Sequence, residues 1–409
     1  MTSTALDALV TATNRASAIP DRIVPFALPG THGQAVASTP KAAHTSCGIV
    51  TLPDQDIDTQ CMAFSLDGQI LATGGGKDTG WIRLWDPNTG DHLHTLQTAN
   101  TVLKIAFTHD QRLVAAGRRT TGQYQIKGYR GSYGIFDGWI RVWDSQTGHQ
   151  VEYITHSDIL LKHCDRYVHF HPEVFSPDGQ VLVVVGGDGQ VQLWDTHTGE
   201  LVANVQLRHD SYIRSAKVGV AFSSLGQMLA VVGCSFVDRD DNVELWNPNE
   251  GEFIRDLAFK RCDGLALSAD GALLAIIASG ISTSTGAPSI PGDIRIYDTR
   301  AGRQVCNAIC EGVVRVIAFS PDARRIATAS SNINAVNSED RRWTIEQWNA
   351  ETGRNISKLP TNLAEVVDLA FSPNGDLLVV RTRSGEVQVI DGAVALRRRI
   401  MLHIAAGAA

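Results

Sequence analysis

One pattern returns seven times along this chain, and it leaves few ways to fold. Its head is usually an aromatic residue, a hydroxyl residue and then an acid or Gly. The copies are Phe64-Ser65-Leu66-Asp67-Gly68, Phe107-Thr108-His109-Asp110, Phe175-Ser176-Pro177-Asp178-Gly179 and Phe222-Ser223-Ser224-Leu225-Gly226, then Leu267-Ser268-Ala269-Asp270-Gly271, Phe319-Ser320-Pro321-Asp322 and Phe371-Ser372-Pro373-Asn374-Gly375. About 20 to 36 residues after each head comes an alternating apolar run that closes on an aromatic and an acid or Asn. These tails are Trp85-Asp86, Trp143-Asp144, Trp194-Asp195, Trp246-Asn247, Tyr297-Asp298, Trp348-Asn349 and, with Ile for the aromatic, Ile390-Asp391. Thr-Gly follows in Thr89-Gly90, Thr147-Gly148, Thr198-Gly199 and Thr352-Gly353.

Each unit reads as four strands. Phe64 ends one strand, and Leu66-Asp67-Gly68 is a tight turn in which Gly supplies a positive φ. Ile70 to Thr73 is a second strand, and Ile82 to Trp85 alternates with period two as a third. After the Asp86–Gly90 turn, Leu93 to Leu96 is the fourth. A small sheet cannot bury both its faces alone, so neighbouring units must stack on it, and seven units closed in a ring leave no long exposed edge. The predicted fold is therefore all-β, a seven-bladed β-propeller of four-stranded antiparallel blades. A length of 409 residues would otherwise suggest two or three domains.

The Ser-x-Asp-Gly turn, the Trp-Asp after an alternating strand and the Thr-Gly behind it resemble the WD-repeat β-propeller family, and the chain is identified as a WD-repeat protein of bacterial type. The resemblance covers residues 48–402. The family's Gly-His before the first strand is missing almost everywhere, with His209-Asp210 its nearest relative, so the buried hydrogen-bond network of that family is expected to be incomplete. The resemblance implies a non-catalytic assembly platform that takes another protein or peptide as its partner. Two segments compete to close the ring beside the last blade, Ile49 to Leu52 and Leu396 to Leu402, and the N-terminal one is favoured. Residues 1–47 carry no repeat and are expected to form an irregular extension; 403–409 are a tail.

Seven units over residues 48–409 average about 52 residues, against roughly 40–45 for this repeat type. The surplus is placed unevenly. The first and third turns stay short in nearly every unit. The second turn expands at Arg118–Asp137, Cys234–Asp241, Ser279–Gly292 and Ser330–Arg342, and the crossover to the next unit at Thr155–Glu173. In a four-stranded meander these all fall at one end, and loops that grow on one face of a rigid scaffold commonly carry binding. The plainer reading is that this face simply tolerates insertions.

The segment from Arg118 to Trp139 has the sharpest composition. Arg118, Arg119, Lys127 and Arg130 stand against Asp137 alone, in a chain whose net charge is −7, and Tyr124, Tyr129, Tyr133, Phe136 and Trp139 are interleaved with them. Such a mixture suits a protein-binding hot spot, contact with phosphate or carboxylate groups, or a loop packed on its own blade. Trp81 and Trp139 each precede their blade aromatic by four residues, on the same side of the third strand as Arg83 and Arg141, and either rim a binding face or cap the inter-blade core. His169 and His171 alternate within a His-rich crossover at the channel, where solvated histidines are the default and a metal site lacks any recognisable spacing. The partner-contact residues expected from these patterns are Trp81, Arg118, Arg119, Tyr124, Tyr129, Arg130, Tyr133, Trp139, His169 and His171.

Catalysis is not expected, and no cofactor or metal is assigned. Gly74-Gly75-Gly76-Lys77-Asp78 lacks the leading Gly and the Ser or Thr of a phosphate loop, and a strand hairpin offers no helix N-terminus. Residues 54–65 start like a calcium loop but lack its Gly and final Glu. Neither His-Glu-x-x-His nor Gly-x-Ser-x-Gly occurs. The alternative is a propeller enzyme, or a small-ligand or metal binder, with its site at the channel mouth near His169, His171, Asp238 and Arg118. The negative charge disfavours nucleic acid. No apolar run reaches the length of a membrane span, and residues 1–17 make a poor secretory signal. Seven scattered cysteines without Cys-x-x-Cys fit reduced thiols in a cytoplasm. The ring is expected to be monomeric on its own.

Overall fold

The structure, a computed structural model, describes residues 43–45, 49–52 and 59–391, apart from 77–78, 99, 126–131, 157–173, 186–189, 207–216, 224–225, 235–239, 261, 279–291, 332–342, 362 and 364. Within strand residues 118–125 and 132–138 it describes the backbone alone. Described residues form an all-strand, seven-bladed β-propeller. Blade 1 holds Thr59–Phe64, Leu71–Gly75, Gly80–Trp85 and His92–Thr98, from the channel outward. Blade 2 holds Thr101–Phe107, Arg112–Gln125, Ser132–Asp144 and Gln150–His156. Blades 3 to 6 repeat this order with first strands Val174–Phe175, Lys217–Phe222, Gly264–Leu267 and Val313–Phe319. Blade 7 holds Val366–Phe371, Leu377–Thr382 and Val387–Asp391.

The repeated head and tail residues each have a local task. In the first turn the Ser65 hydroxyl donates to Asp67 at 2.6 Å and receives the Ile70 N–H at 2.9 Å. Ser268 repeats this with Asp270 and Leu273, as do Ser176, Ser320 and Ser372 in their blades. In the third turn Asp86 accepts the N–H groups of Asn88 and Thr89, and Gly90, at φ 74°, returns its own N–H to the Asp86 carbonyl at 2.8 Å. That left-handed position is what makes the Thr-Gly step a Gly. Side-chain oxygens thus satisfy turn backbone that the sheet leaves unpaired.

Burial comes from stacking blades. Trp143 of blade 2 packs on Ala72, Ile82 and Leu84 of blade 1, and Trp194 of blade 3 on Val114, Ile140 and Val142 of blade 2. Trp246, Trp348 and Ile390 do the same one blade further on, and Trp85 closes the circle against Val379, Val387 and Val389 of blade 7. The incomplete polar network is visible in the indoles. Trp85 and Trp348 donate to Thr73 and Thr328 at 2.9 Å each, Trp194 reaches Gln192 at 3.3 Å, and the Trp246 Nε1 has no acceptor among the described residues.

Closure follows the N-terminal expectation. Ile49–Thr51 pairs antiparallel with Val387–Asp391, Ile49 opposite Ile390, and Leu52 donates its N–H to Val387 at 3.1 Å. A further strand, Ala43–Thr45, lies outside it, so blade 7 has five strands. The competing segment 396–402 lies outside the described residues. Arg381 of blade 7 adds an inner tie across the seam, donating to the Thr59 carbonyl of blade 1 at 3.0 Å.

At the ends of the first strands Phe107 and Phe175 are buried, and Phe64, Phe222, Phe319 and Phe371 are half-buried against the layers between blades.

A feature without a sequence forecast is a β-bulge in the fourth strand of blades 1 to 6, eight residues after each blade aromatic. The residues skipped by the pairing are Leu93, Val151, Val202, Ile254, Val305 and Ile356. A bulge on an edge strand interrupts its flat row of hydrogen-bonding groups and so discourages edge-to-edge association.

Candidate functional site

The expanded second turn of blade 2 is not an irregular loop. Its strands run 14 and 13 residues, against 5 and 6 for the same pair in blade 1. The last rungs shared with the rest of the blade are Thr101↔Arg118 and Gly138↔His156. Beyond them the two strands pair only with each other, through Arg119↔Asp137, Thr120↔Phe136, Gly122↔Ile135, Gln123↔Gly134, Tyr124↔Tyr133 and Gln125↔Ser132. At the usual rise per residue this ribbon stands about 20 Å above the blade. The chain at its base is held by burial: Gly117 has no room for a Cβ, which would meet the Trp139 ring and the Thr101 carbonyl.

Register sorts the sequence candidates onto the two sides of the ribbon. Skipping the bulged Thr121, Arg119, Tyr124, Tyr133 and Asp137 share the face of Trp139, while Arg118, Thr120 and Phe136 share the other. Trp81 and Trp139 occupy equivalent places at the tops of their third strands, opposite Gly75 and Gly117. The Arg83 guanidinium lies 4.5 Å from the Trp81 ring centre and that of Arg141 5.0 Å from Trp139. Both rings are buried, at 8% and 2% exposure. Trp139 packs in the layer between blades 1 and 2, and Trp81 shares the side of Trp85, which faces blade 7. The two rings therefore occupy successive layers instead of pairing with each other, each roofed by an arginine.

Charge at this end of blades 1 and 2 is one-sided. Their second and third strands carry Arg118 and Arg119 above the tryptophan level and Arg83 and Arg141 two rungs below it, against Asp137. The Cys61 thiol on the first strand of blade 1 is pushed up to about 12 by burial and is no nucleophile at neutral pH. Tyr129, Arg130, His169, His171 and Asp238 lie outside the described residues, as do most of the other expanded turns. Sequence reasoning found the ribbon's composition but missed its strand geometry. The available signal was the glycine pair Gly128 and Gly131 between segments bearing Tyr124 and Tyr133, a hairpin pattern weakened by Gly122 and Gly134.

A second polar cluster sits on blade 6. Lys358 bridges Glu311 at 2.5 Å and the buried Glu346 at 3.5 Å, and Ser330 donates to Glu346 at 3.4 Å. Burial raises the Glu346 carboxyl above its ordinary range, while the Glu311 contact raises Lys358. The charges are paired across adjoining strands, and the arrangement reads as a structural ion cluster.

An open-faced propeller of seven stacked blades defines a class of rigid ring scaffold, and comparison with known proteins agrees. The sequence profile of the family described as "WD domain, G-beta repeat" matches residues 46–86 and 152–195. The chain is 21% identical over 385 residues to "Protein HIR1" of Chaetomium globosum, covering 82% of this chain and 33% of that protein. It is 25% identical over 166 residues to "COMPASS component SWD3" of Saccharomyces cerevisiae, 40% and 47% of the two chains. It is 28% identical over 161 residues to the "Guanine nucleotide-binding protein subunit beta" of Nicotiana plumbaginifolia, 38% and 37%. These matches, with the blades, support a WD-repeat protein. The matched region spans less than half the length of each of these relatives. All three come from eukaryotes, so the expected bacterial type finds no support in them.

Proposed function

We propose that the chain is a non-catalytic platform that binds another protein or peptide through its insertion-bearing face. The observation that carries this reading is the ribbon of blade 2, which projects from the face where the expanded turns gather, on a scaffold whose opposite face is trimmed to short turns. Two relatives are named as a component and a subunit, which supports a protein partner in general. The contact set is Trp81, Arg118, Arg119, Tyr124, Tyr129, Arg130, Tyr133, Trp139, His169 and His171, with the two tryptophans acting as buried supports for Arg83 and Arg141. The ring works as a monomer, and its described cysteines, all free thiols, suit a cytoplasmic setting.

The test is co-purification of the native partner with two variants. Arg118→Glu with Arg119→Glu and Tyr129→Ala changes the ribbon; Asn88→Ala with Gln146→Ala changes exposed third-turn residues on the other face. Both variants should melt close to the parent. An aromatic or arginine anchor at an interface centre is worth about 2 kcal/mol or more, a loss near thirtyfold, so the ribbon variant should lose the partner and the control keep it. The reverse result places binding on the short-turn face.

A further inference from the structure

The ribbon carries an open strand edge as well as charge. Its Arg112–Gln125 strand pairs with the innermost strand only as far as Arg118, so above that rung its inner edge has no partner among the described residues. The crossover that would pass there, from Thr98 to Thr101, is two residues long. Because the innermost strand lines the channel, this edge stands over the channel mouth. The other edge of the ribbon pairs with the outermost strand as far as Gly138↔His156.

Such an edge presents unsatisfied N–H and C=O groups in strand spacing, and natural sheets usually blunt or cover it. Here the expected protection is one bulge at Thr121, halfway along. Blade 7 shows that an outer strand of this ring does accept another, since Ala43–Thr45 adds antiparallel to Ile49–Thr51. Charge then selects the occupant. Arg118 and Arg119 take opposite faces at the foot of the edge, with Arg141 below on the Arg119 side, and Asp137 is the one acid across the ribbon. A strand laid along the edge would alternate its own side chains between these two faces, so acids at successive positions near its foot would meet an arginine on either side. Tyr124 and Tyr133, directly opposed further up, suit apolar or aromatic neighbours.

We propose that the ribbon's inner edge takes an extended acidic segment of a partner protein by strand addition over the channel mouth. This rests on the platform reading and names the partner's chemistry. Backbone pairing supplies a sequence-tolerant part of the affinity, and the arginines supply direction and selection. The segment has acids at its foot and no proline along the paired stretch, because proline cannot donate to the edge.

The experiment uses the full chain and labelled peptides read by fluorescence anisotropy. The probe is a capped Glu–Thr peptide of repeated Glu-Glu-Thr-Thr, which sets acids on both faces of an added strand. Its comparators are a Lys–Thr peptide, a Glu–Thr peptide with two internal prolines and an oligothymidylate. The Glu–Thr peptide should bind at least about tenfold more tightly than either peptide comparator. Arg118→Glu with Arg119→Glu should invert the preference towards Lys–Thr, and Arg118→Gln with Arg119→Gln should abolish it if the reversal disturbs folding. Absence of saturable Glu–Thr binding overturns the proposal. So does equal binding of the proline peptide, which would mean charge attraction alone, or tighter binding of the oligothymidylate, which would mean a nucleic-acid surface. If the Glu–Thr peptide fails while native-partner capture still depends on the ribbon, this inference falls and the platform reading stands. If the peptide binds as described while the ribbon variant keeps the native partner, the platform reading falls instead.

Discussion

Two threonines carry more of the ring's specificity than their size suggests. Thr73 and Thr328 are fully buried and accept the indole N–H of Trp85 and Trp348. Replacing Thr328 with Val keeps shape and strands a buried donor, so it should cost about 1–3 kcal/mol in a denaturant melt. Trp348→Ala, which empties a layer between blades 5 and 6, should cost about 3–5 kcal/mol, and Asn88→Ala under about 0.5. Equal losses in all three would contradict the packing described. The acids of the first turns give a pH signature. The Ser65, Thr108 and Ser268 hydroxyls hold the carboxyls of Asp67, Asp110 and Asp270 below their ordinary value of 3.8. The unfolded chain therefore binds more protons between the two values. Their stabilisation is complete above the ordinary value and is lost as pH falls through it towards the folded values. Ser65→Ala with Ser268→Ala should accordingly flatten the acid side of the melting-temperature profile, and an unchanged slope would contradict this. The tryptophans and Ser-x-Asp turns were readable because they recur. The threonine partners were not, since they stand 12 residues before the Trp in blade 1 and 20 in blade 6.

At the scale of elements, the strand that closes the ring comes from the opposite end of the chain. Its place was legible because Ile49 to Leu52 has the spacing of an outermost strand relative to the next head. The additional strand Ala43–Thr45 was not, for it follows no repeat. Removing the two should have different consequences. A chain beginning at Ser46 keeps the Ile49–Ile390 ladder and Leu52 in its core, and should elute as the parent does with a modestly lower melting temperature. One beginning at Pro53 exposes the whole edge of Val387–Asp391 and should associate or lose its cooperative melt. If both behave alike in size-exclusion and thermal melts, the closing strand is not what holds blade 7. The fourth-strand bulges were written in the sequence as an aliphatic residue eight positions after each blade aromatic. They went unread because period-two reasoning assumes continuous pairing.

The propeller is a ring with unequal faces, and that inequality was the most informative thing the sequence held about function. Loop lengths located the expanded face without any side-chain detail. What they concealed was form: the longest expansion with described residues is a paired ribbon, and Trp81 and Trp139 lie beneath arginines instead of presenting open rings. Composition identifies which residue types gather, whereas exposure depends on which layer each strand face meets. The account's central claim is that a protein partner engages the expanded face. Amide hydrogen exchange on the ring alone and with its native partner bound tests this most directly. The account predicts new protection along Arg118–Gln125 and Ser132–Gly138, with no change in the turns at Asp86–Gly90, Asp144–Gly148 and Asp298–Gly302. Protection of those short turns, with the ribbon exchanging as before, would contradict it.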